Sequence, residues 1–373
     1  MAAPSAGRPE LVARLRAEIL EGGPVSFARF MEIALHDPDH GYYAAGAARL
    51  GRSGDFFTAS DVGPAFGAAL ARQLAEMDDA LGRPDPFRYV EIGAGRGTLA
   101  RDVLDAWDTA RGRIEATLVD SSRGMREAAR ARAPEARVVA SAAQVRGGSG
   151  AVVAVELLDA LPVHRVRRRG RDLHEVRVAL DGGALREVEG PAAAEVRGWA
   201  ESYGAAPEDG DEAEVCLALA PAVADLAAVI DRGFVIVVDY GHDAARLAHR
   251  AHRRGTLLAY HRHAVNEDYL ARVGEQDLTA HVNLTALDGE AVRAGLAPLA
   301  TTTQDRFLIA NGLLEGLDEA GESLGAVKRR LQARQLVHPD GMGRAFKVAV
   351  YAKGVSPVPS LRGLRDPFGE PPR

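Results

Sequence analysis

An α/β fold built on a mostly parallel sheet is predicted by three features of the chain. A glycine-rich turn, Gly93-Ala94-Gly95-Arg96-Gly97, joins a short apolar run, Tyr89 to Ile92, to a helical pattern opening at Thr98. Apolar strand-like runs and helical stretches then alternate along much of the chain. Several of those runs end in an acid, where an open α/β sheet collects its ligands.

The elements follow in order. Residues 1–9 form a polar lead. Glu10 to Glu21 reads as a helix ending at Gly22-Gly23, and Pro24 to Leu35 as a second helix capped by Ser26 and stopped by Asp37-Pro38 and Gly41. The Gly51 to Ser60 loop feeds a long helix from Pro64 to Leu81. Tyr89 to Ile92 is the first strand, followed by a helical pattern from Thr98 to Ala110. Ile114 to Asp120 is the second strand, with a helix from Arg123 to Ala133 behind it. Ala136 to Ala140 reads as a short third strand, Ala151 to Leu157 as a fourth, Phe234 to Tyr240 as a fifth and Ala345 to Tyr351 as a late one, with a helix from Pro221 to Asp231. Such alternation implies a sheet covered by helices on both faces. An insertion runs from Val163 to Asp211. Its alternating segments, Leu173 to Leu180 and Leu185 to Val188, flank Asp181-Gly182-Gly183 and predict a β-hairpin placed for acceptor recognition. The tail from Gly354, rich in Pro and Gly, is expected to be disordered.

The glycine turn predicts a nucleotide-cofactor site. Glycines at 93, 95 and 97 lack Cβ atoms where the backbone turns, so a ligand can approach main-chain N–H groups at a helix start. A dinucleotide fingerprint needs a third glycine three residues after the second; from Gly93 that place is occupied by Thr98. Glu91 would repel a diphosphate, but suits the ammonium and sulfonium charges of S-adenosyl-L-methionine. Asp120, about 20 residues past the turn, is placed to accept hydrogen bonds from a ribose diol, which fits either cofactor. It could instead cap the next helix, as could its neighbours Ser121 and Ser122. Glu156, Asp159 and Asp239, at the ends of the fourth and fifth strands, are expected to face one crevice.

Five separated motifs narrow the identification. They are Gly54-Asp55-Phe56-Phe57-Thr58-Ala59-Ser60, the Glu91 to Thr98 turn, Glu156-Leu157-Leu158-Asp159-Ala160-Leu161-Pro162-Val163-His164, Asp239-Tyr240-Gly241-His242 and Gly274-Glu275-Gln276-Asp277-Leu278-Thr279-Ala280-His281-Val282. In this order they resemble the MidA-like methyltransferases, over Gly23 to Lys353. The resemblance implies a class I S-adenosyl-L-methionine-dependent methyltransferase fold, a Rossmann-like seven-stranded sheet with an N-terminal helical cap. It further implies a protein substrate, with arginine the acceptor attributed to the mitochondrial branch, whose members assist assembly of respiratory complex I; a homodimer is compatible with it. The N-terminal part of the family helps cover the cofactor, and Asp55 and Thr58 are the candidates here. Ser121 joins Glu91, Gly93, Gly95, Gly97, Asp120 and Glu156 as the remaining cofactor group. The chain departs from the family at Val155, usually Asn, at Asn283, usually Asp, and in Glu214 to Ala218, which lacks a Ser-Pro. The expected divisions are a cap over 1–63, a cofactor-binding core over 64–162, a β-rich insertion over 163–211, the rest of the core over 212–353 and a tail over 354–373.

Methyl transfer from a sulfonium is an in-line displacement, so the protein must align donor and acceptor and exclude water. An arginine acceptor stays protonated at neutral pH, and paired carboxylates hold a guanidinium well. Glu156 and Asp159 are the expected clamp, with Asp239, His242 and His281 behind them; Asp159 could instead cap the turn before Pro162. His281 and Asn283 alternate on an extended segment and so share a face. Two other classes remain open: an assembly protein that keeps the cofactor as a structural ligand, and an NAD-dependent oxidoreductase, which Thr98 and Glu91 oppose.

Bulk properties suit a cytoplasmic enzyme. The 373 residues carry 46 Lys and Arg against 52 Asp and Glu, a net charge of −6, so no general attraction to nucleic acid or membrane is expected. The single cysteine, Cys216, reads as a buried inert thiol. No apolar run approaches membrane-spanning length. Met1 to Pro9 lacks the apolar core of a signal peptide, and Glu10 and Glu18 argue against a transit peptide. The abundance of Ala, Arg and Gly is that of a GC-rich bacterial genome. Arg165, Arg167, Arg168, Arg169 and Arg171 read as a solvated hairpin face. His249, His252, His261 and His263 lack the accompanying Cys or paired carboxylate of a metal site, and no metal is expected.

Overall fold

Uninterrupted apolar runs, with side chains buried on both faces, make the strands of the larger sheet: Ala151 to Ala154 and Phe234 to Val238 are almost wholly inaccessible. The computed structural model describes residues 6–44, 59–145, 147–262, 264–315, 317 and 323–368. The chain divides into two units. One comprises Phe57–Leu157, Val223–Tyr240 and Glu290–Arg373; the other comprises Met1–Phe56, Leu158–Ala222 and Gly241–Gly289.

The first unit carries β1 (Phe87–Ile92), β2 (Ile114–Val119), β3 (Arg137–Val139), β4 (Ser149–Val155), β5 (Arg232–His242, which runs two residues past the unit), β6 (Ala297–Thr303) and β7 (Phe346–Lys353). Their order is β6-β7-β5-β4-β1-β2-β3. All neighbours pair in parallel except β7, which is antiparallel to both β5 and β6. The order reverses between β1 and β4, the switch point at which such sheets bind ligands. Helices α1 (Ala65–Ala80), α2 (Thr98–Ala106) and α3 (Arg123–Arg132) contribute Leu70, Leu74, Leu99, Val103 and Ala129 to one core with Phe87, Tyr89, Leu118 and Ile236. The predicted strands are present; β6 was not anticipated. Its Pro298 argues against a strand, and its Thr301-Thr302-Thr303 end carries no apolar signal.

The second unit contains a five-stranded antiparallel sheet and a smaller one of Leu258–His261, Ala264–Asn266 and Asp277–Thr279. Strand Asp172–Asp181 lies at the centre of the first, flanked by Ala184–Pro191, by Val25–Ser26 and by His164–Arg169, which in turn pairs with Glu212–Val215. The predicted hairpin is made: Asp181 pairs with Ala184, and Gly182 and Gly183 have φ of 55° and 83°, the double left-handed turn that matches strand twist. Ser26 accepts from the Arg29 amide and caps helix Phe27–His36. Phe27, Phe30 and Ile33 of that helix share a core with Leu11 and Leu15 of helix Pro9–Gly22, and with Val178 and Leu257.

Three expectations are corrected. Residues 1–63 do not form a cap of their own: the two N-terminal helices belong with the insertion, because Val25-Ser26 pairs with Arg177-Val178, and that insertion extends through 241–289. Residues 354–368 of the tail are ordered. Leu361 is buried, the Gly363 amide donates to Gln73 Oε1 at 2.8 Å and the Arg362 amide to Glu76 Oε2 at 2.6 Å. The arginine run is not simply solvated. Arg165 is buried, bonded to Glu187 and Glu212, with its guanidinium 5.1 Å from the Phe27 ring centre and 4.9 Å from that of Tyr269. Arg167 meets Glu189 and Glu212, and Arg169 meets Glu189. Glu212 comes from the adjacent strand, and Glu187 and Glu189 from Ala184–Pro191 on the far side of Asp172–Asp181, which one-dimensional spacing could not show.

Candidate functional site

The glycine turn leaves β1 and enters α2 with Gly93, Gly95 and Gly97 all in left-handed conformation. Gly97, at φ 70°, opens α2, and a Cβ there would lie 3.2 Å from the Ala129 Cα, so its smallness lets α3 pack close. Gly95, at φ 52°, is different: a Cβ would meet no described residue within 4 Å. Its face is open, and a ligand can lie directly against the backbone there. Three other amides of the turn are engaged, Gly93 and Ala94 donating to the Val119 carbonyl at 2.9 and 3.1 Å and Gly97 to Ala94 at 2.9 Å. The Gly95 amide donates to Asp120 Oδ2 at 2.9 Å.

Two acids bracket this turn. Glu91 is 4% exposed and accepts the Tyr89 hydroxyl at 2.7 Å. Burial pushes its carboxyl up to about 8, Tyr89 opposes that rise, and the charges of Asp120 and Asp102 reinforce it. Asp120 ends β2 and is raised to about 6, again by burial, against the amides of Ser122 and Gly95. Each anion is therefore held at a cost that a cationic ligand would relieve. Ser122 caps α3, accepting from Met125. Ser121 is exposed, and its carbonyl accepts from Arg126. Asp55 and Thr58 lie outside the described residues.

Glu156 and Asp239 stand at the carboxyl ends of adjacent strands, one residue beyond the Val155–Val238 pair. Glu156 holds φ at 53°, an uncommon conformation for a side-chain-bearing residue. Its amide donates to Val238 at 2.9 Å and its Oε1 accepts from the Ala59 amide at 2.8 Å. Asp239 is 2% exposed and accepts from the Tyr240 amide. Val155 continues the valine-rich strand and packs on the core of that unit.

In the other unit, Asp159 is buried and its carbonyl accepts from Ala280. With Asp277 it acts on Tyr43 and Tyr260: burial comes first in raising both phenols, and the two carboxylates add to it. The Tyr43 hydroxyl donates to Asp277 at 2.8 Å. Asp277 and Tyr43 were not expected at a site, although Asp277 sits inside the Gly274 to Val282 motif. The His281 ring lies 5.4 Å from that of His242 and 5.8 Å from that of His252, and its amide donates to Thr256 Oγ1. Asn283 does not share that role: its amide donates to the Tyr203 carbonyl at 3.1 Å and its oxygen caps the following helix at Ala286.

The geometry can be set beside known proteins. The family model for S-adenosyl-L-methionine-dependent methyltransferases matches residues 69–302. A crystallised Burkholderia thailandensis protein, bound to S-adenosyl-homocysteine, superposes with a TM-score of 0.88 at 32% identity, over 98% of this chain and 95% of that one. Mouse and human proteins named protein arginine methyltransferase NDUFAF7, mitochondrial, are 29% and 28% identical, each over 90% of this chain and over 83% and 82% of their own lengths.

Proposed function

The chain belongs to the S-adenosyl-L-methionine-dependent methyltransferase family, and from that premise we propose that it methylates an arginine side chain of a protein. The cofactor is S-adenosyl-L-methionine. One observation carries its placement: the open backbone face of Gly95 between the buried Glu91 and the half-buried Asp120. Bound there, the cofactor would supply an electrophilic methyl group on a sulfonium. Gly95 admits it against the main chain, Asp120 accepts hydrogen bonds from a diol, and Glu91 complements positive charge in a site of low polarity.

The names of the mouse and human relatives support arginine as acceptor. A guanidinium must be oriented and must lose a proton as it is alkylated, because its pKa lies above about 12. Glu156 and Asp239, side by side at two strand ends, supply carboxylates for both tasks.

The test is transfer of labelled methyl groups from the cofactor to proteins of a cell extract, followed by analysis for methylarginine. Glu156→Gln should lower transfer by roughly 100-fold while the variant still binds S-adenosyl-L-methionine by calorimetry. Full transfer by that variant would remove Glu156 from the mechanism, and methyl label on another residue type would replace the arginine acceptor.

A further inference from the structure

Glu156 is held by a short helix, Ala59–Val62, whose first amide donates to its Oε1 at 2.8 Å. Within that helix Asp61 meets the Arg96 guanidinium at 2.5 Å. At its end the Val62 carbonyl accepts from Gln332 Nε2 at 2.6 Å. Ala59 and Val62 are buried in the core of the first unit. The Asp61 and Arg96 side chains are 9% and 20% exposed, so the pair is sheltered from the water and salt that weaken surface pairs.

Arg96 lies between Gly95 and Gly97 in the turn after β1, and Glu156 follows β4. These two strands are adjacent and parallel, and the strand order reverses between them. The short helix therefore joins two strand ends at the switch point. One end is the turn assigned to the cofactor, and the other is the carboxylate assigned to the acceptor.

A helix of one turn has no stability of its own, so its position is set by what grips it. The Asp61–Arg96 pair, the Val62–Gln332 bond and the two buried side chains fix it to the unit, and the Ala59 amide then meets Glu156 at one place. Glu156 also keeps a left-handed backbone, φ 53°, with its own amide on the Val238 carbonyl. A residue with a side chain holds that conformation only where its surroundings over-determine it, and such positions cluster at functional sites. Backbone and side chain of this carboxylate are both constrained.

We propose that Asp61 and Arg96 are positioning residues for methyl transfer, locking the short helix so that the Ala59 amide fixes the Glu156 carboxylate. The same pair ties the turn that receives the donor to the carboxylate that receives the acceptor, the alignment that an in-line displacement requires. This role rests on the assignment of Glu156 to the acceptor and deepens it.

The test is labelled-methyl transfer to the proteins of a cell extract by the full-length protein, with S-adenosyl-L-methionine varied. Asp61→Ala should lower the rate at saturating cofactor by about tenfold and leave KM for the cofactor and its calorimetric affinity unchanged. Asp61→Glu, which returns a carboxylate to Arg96, should recover most of the rate. Combined with Glu156→Gln, Asp61→Ala should add no further loss, because both act through one group. In the cofactor-free protein, hydrogen exchange of the segment carrying Ala59 should quicken in Asp61→Ala. If Asp61→Ala does not fold, the isosteric Asp61→Asn is measured in its place. Equal losses with and without Glu156→Gln, a loss confined to KM for the cofactor, or unchanged exchange would overturn the proposal. Impaired transfer by Glu156→Gln beside a wild-type rate for Asp61→Ala would also overturn it and leave the role of Glu156 standing. Undiminished transfer by Glu156→Gln would instead remove Glu156 from the mechanism, and the positioning role with it.

Discussion

Tyr89 and Glu91 lie two residues apart on one face of β1, and the phenol donates to the carboxyl at 2.7 Å. The bond keeps a buried acid in place beside the cofactor turn, but does not overcome the cost of its charge. Glu91 titrates near 8 when folded, against 4.5 for the ordinary carboxyl. Between those values the folded state holds more protons than the unfolded state, so stability falls as pH rises through that window. Asp120 adds the same sign between 3.8 and about 6.

The ligand-free protein should therefore lose thermal stability from pH 6 to pH 8.5, and Glu91→Gln should flatten that loss. Thermal unfolding across this range, with and without S-adenosyl-L-methionine, is the measurement. Saturating cofactor at about 100 times its Kd should add about 2.7 kcal/mol by mass action. A wild-type profile as flat as that of the variant would show that Glu91 is not held protonated.

Gly95→Val should abolish cofactor binding. The position is left-handed, so a β-branched residue strains the turn, and the added side chain would fill the open face. Titration calorimetry should show no saturation while circular dichroism retains the α/β signature. Retained affinity would move the cofactor away from this face.

Asn283→Ala should destabilise the second unit by about 1–2 kcal/mol, through loss of the cap on helix Leu284–Arg293 together with the bond to Tyr203. Asn283→Ser keeps a capping oxygen and loses the donor to the Tyr203 carbonyl without adding a charge, so its loss should be smaller. Denaturant unfolding of the three proteins ranks them; a Ser variant as unstable as the Ala variant would contradict the capping role.

Arg165→Ala should cost about 3–5 kcal/mol, because it leaves Glu212 without one of its guanidinium partners and removes the cation from between Phe27 and Tyr269. Arg169→Ala, at an exposed pair, should cost less than about 1 kcal/mol. Equal losses would mean that burial does not distinguish the two arginines.

Much of the fold could be read in one dimension because β1, β4 and β5 are continuous apolar runs and the turn after β1 is a contiguous signature. The hairpin could be read for the same reason, since Asp181-Gly182-Gly183 dictates its own turn. Strand β6 could not, because Thr301 to Thr303 gain their place only from pairing with Val348 and Ala349 of β7. Asp277 was equally silent: it matters through Tyr43, more than 200 residues away in the chain.

The sequence by itself determined the glycine turn and the acids beside it, because glycine conformation and strand ends are local properties of a few consecutive residues. The tertiary structure decided which of those acids are buried and which arginines are spent on internal glutamates. Those outcomes depend on burial and on partners brought together by long-range pairing, and the cost of a charge or an unmet donor exists only once water has been removed from around it.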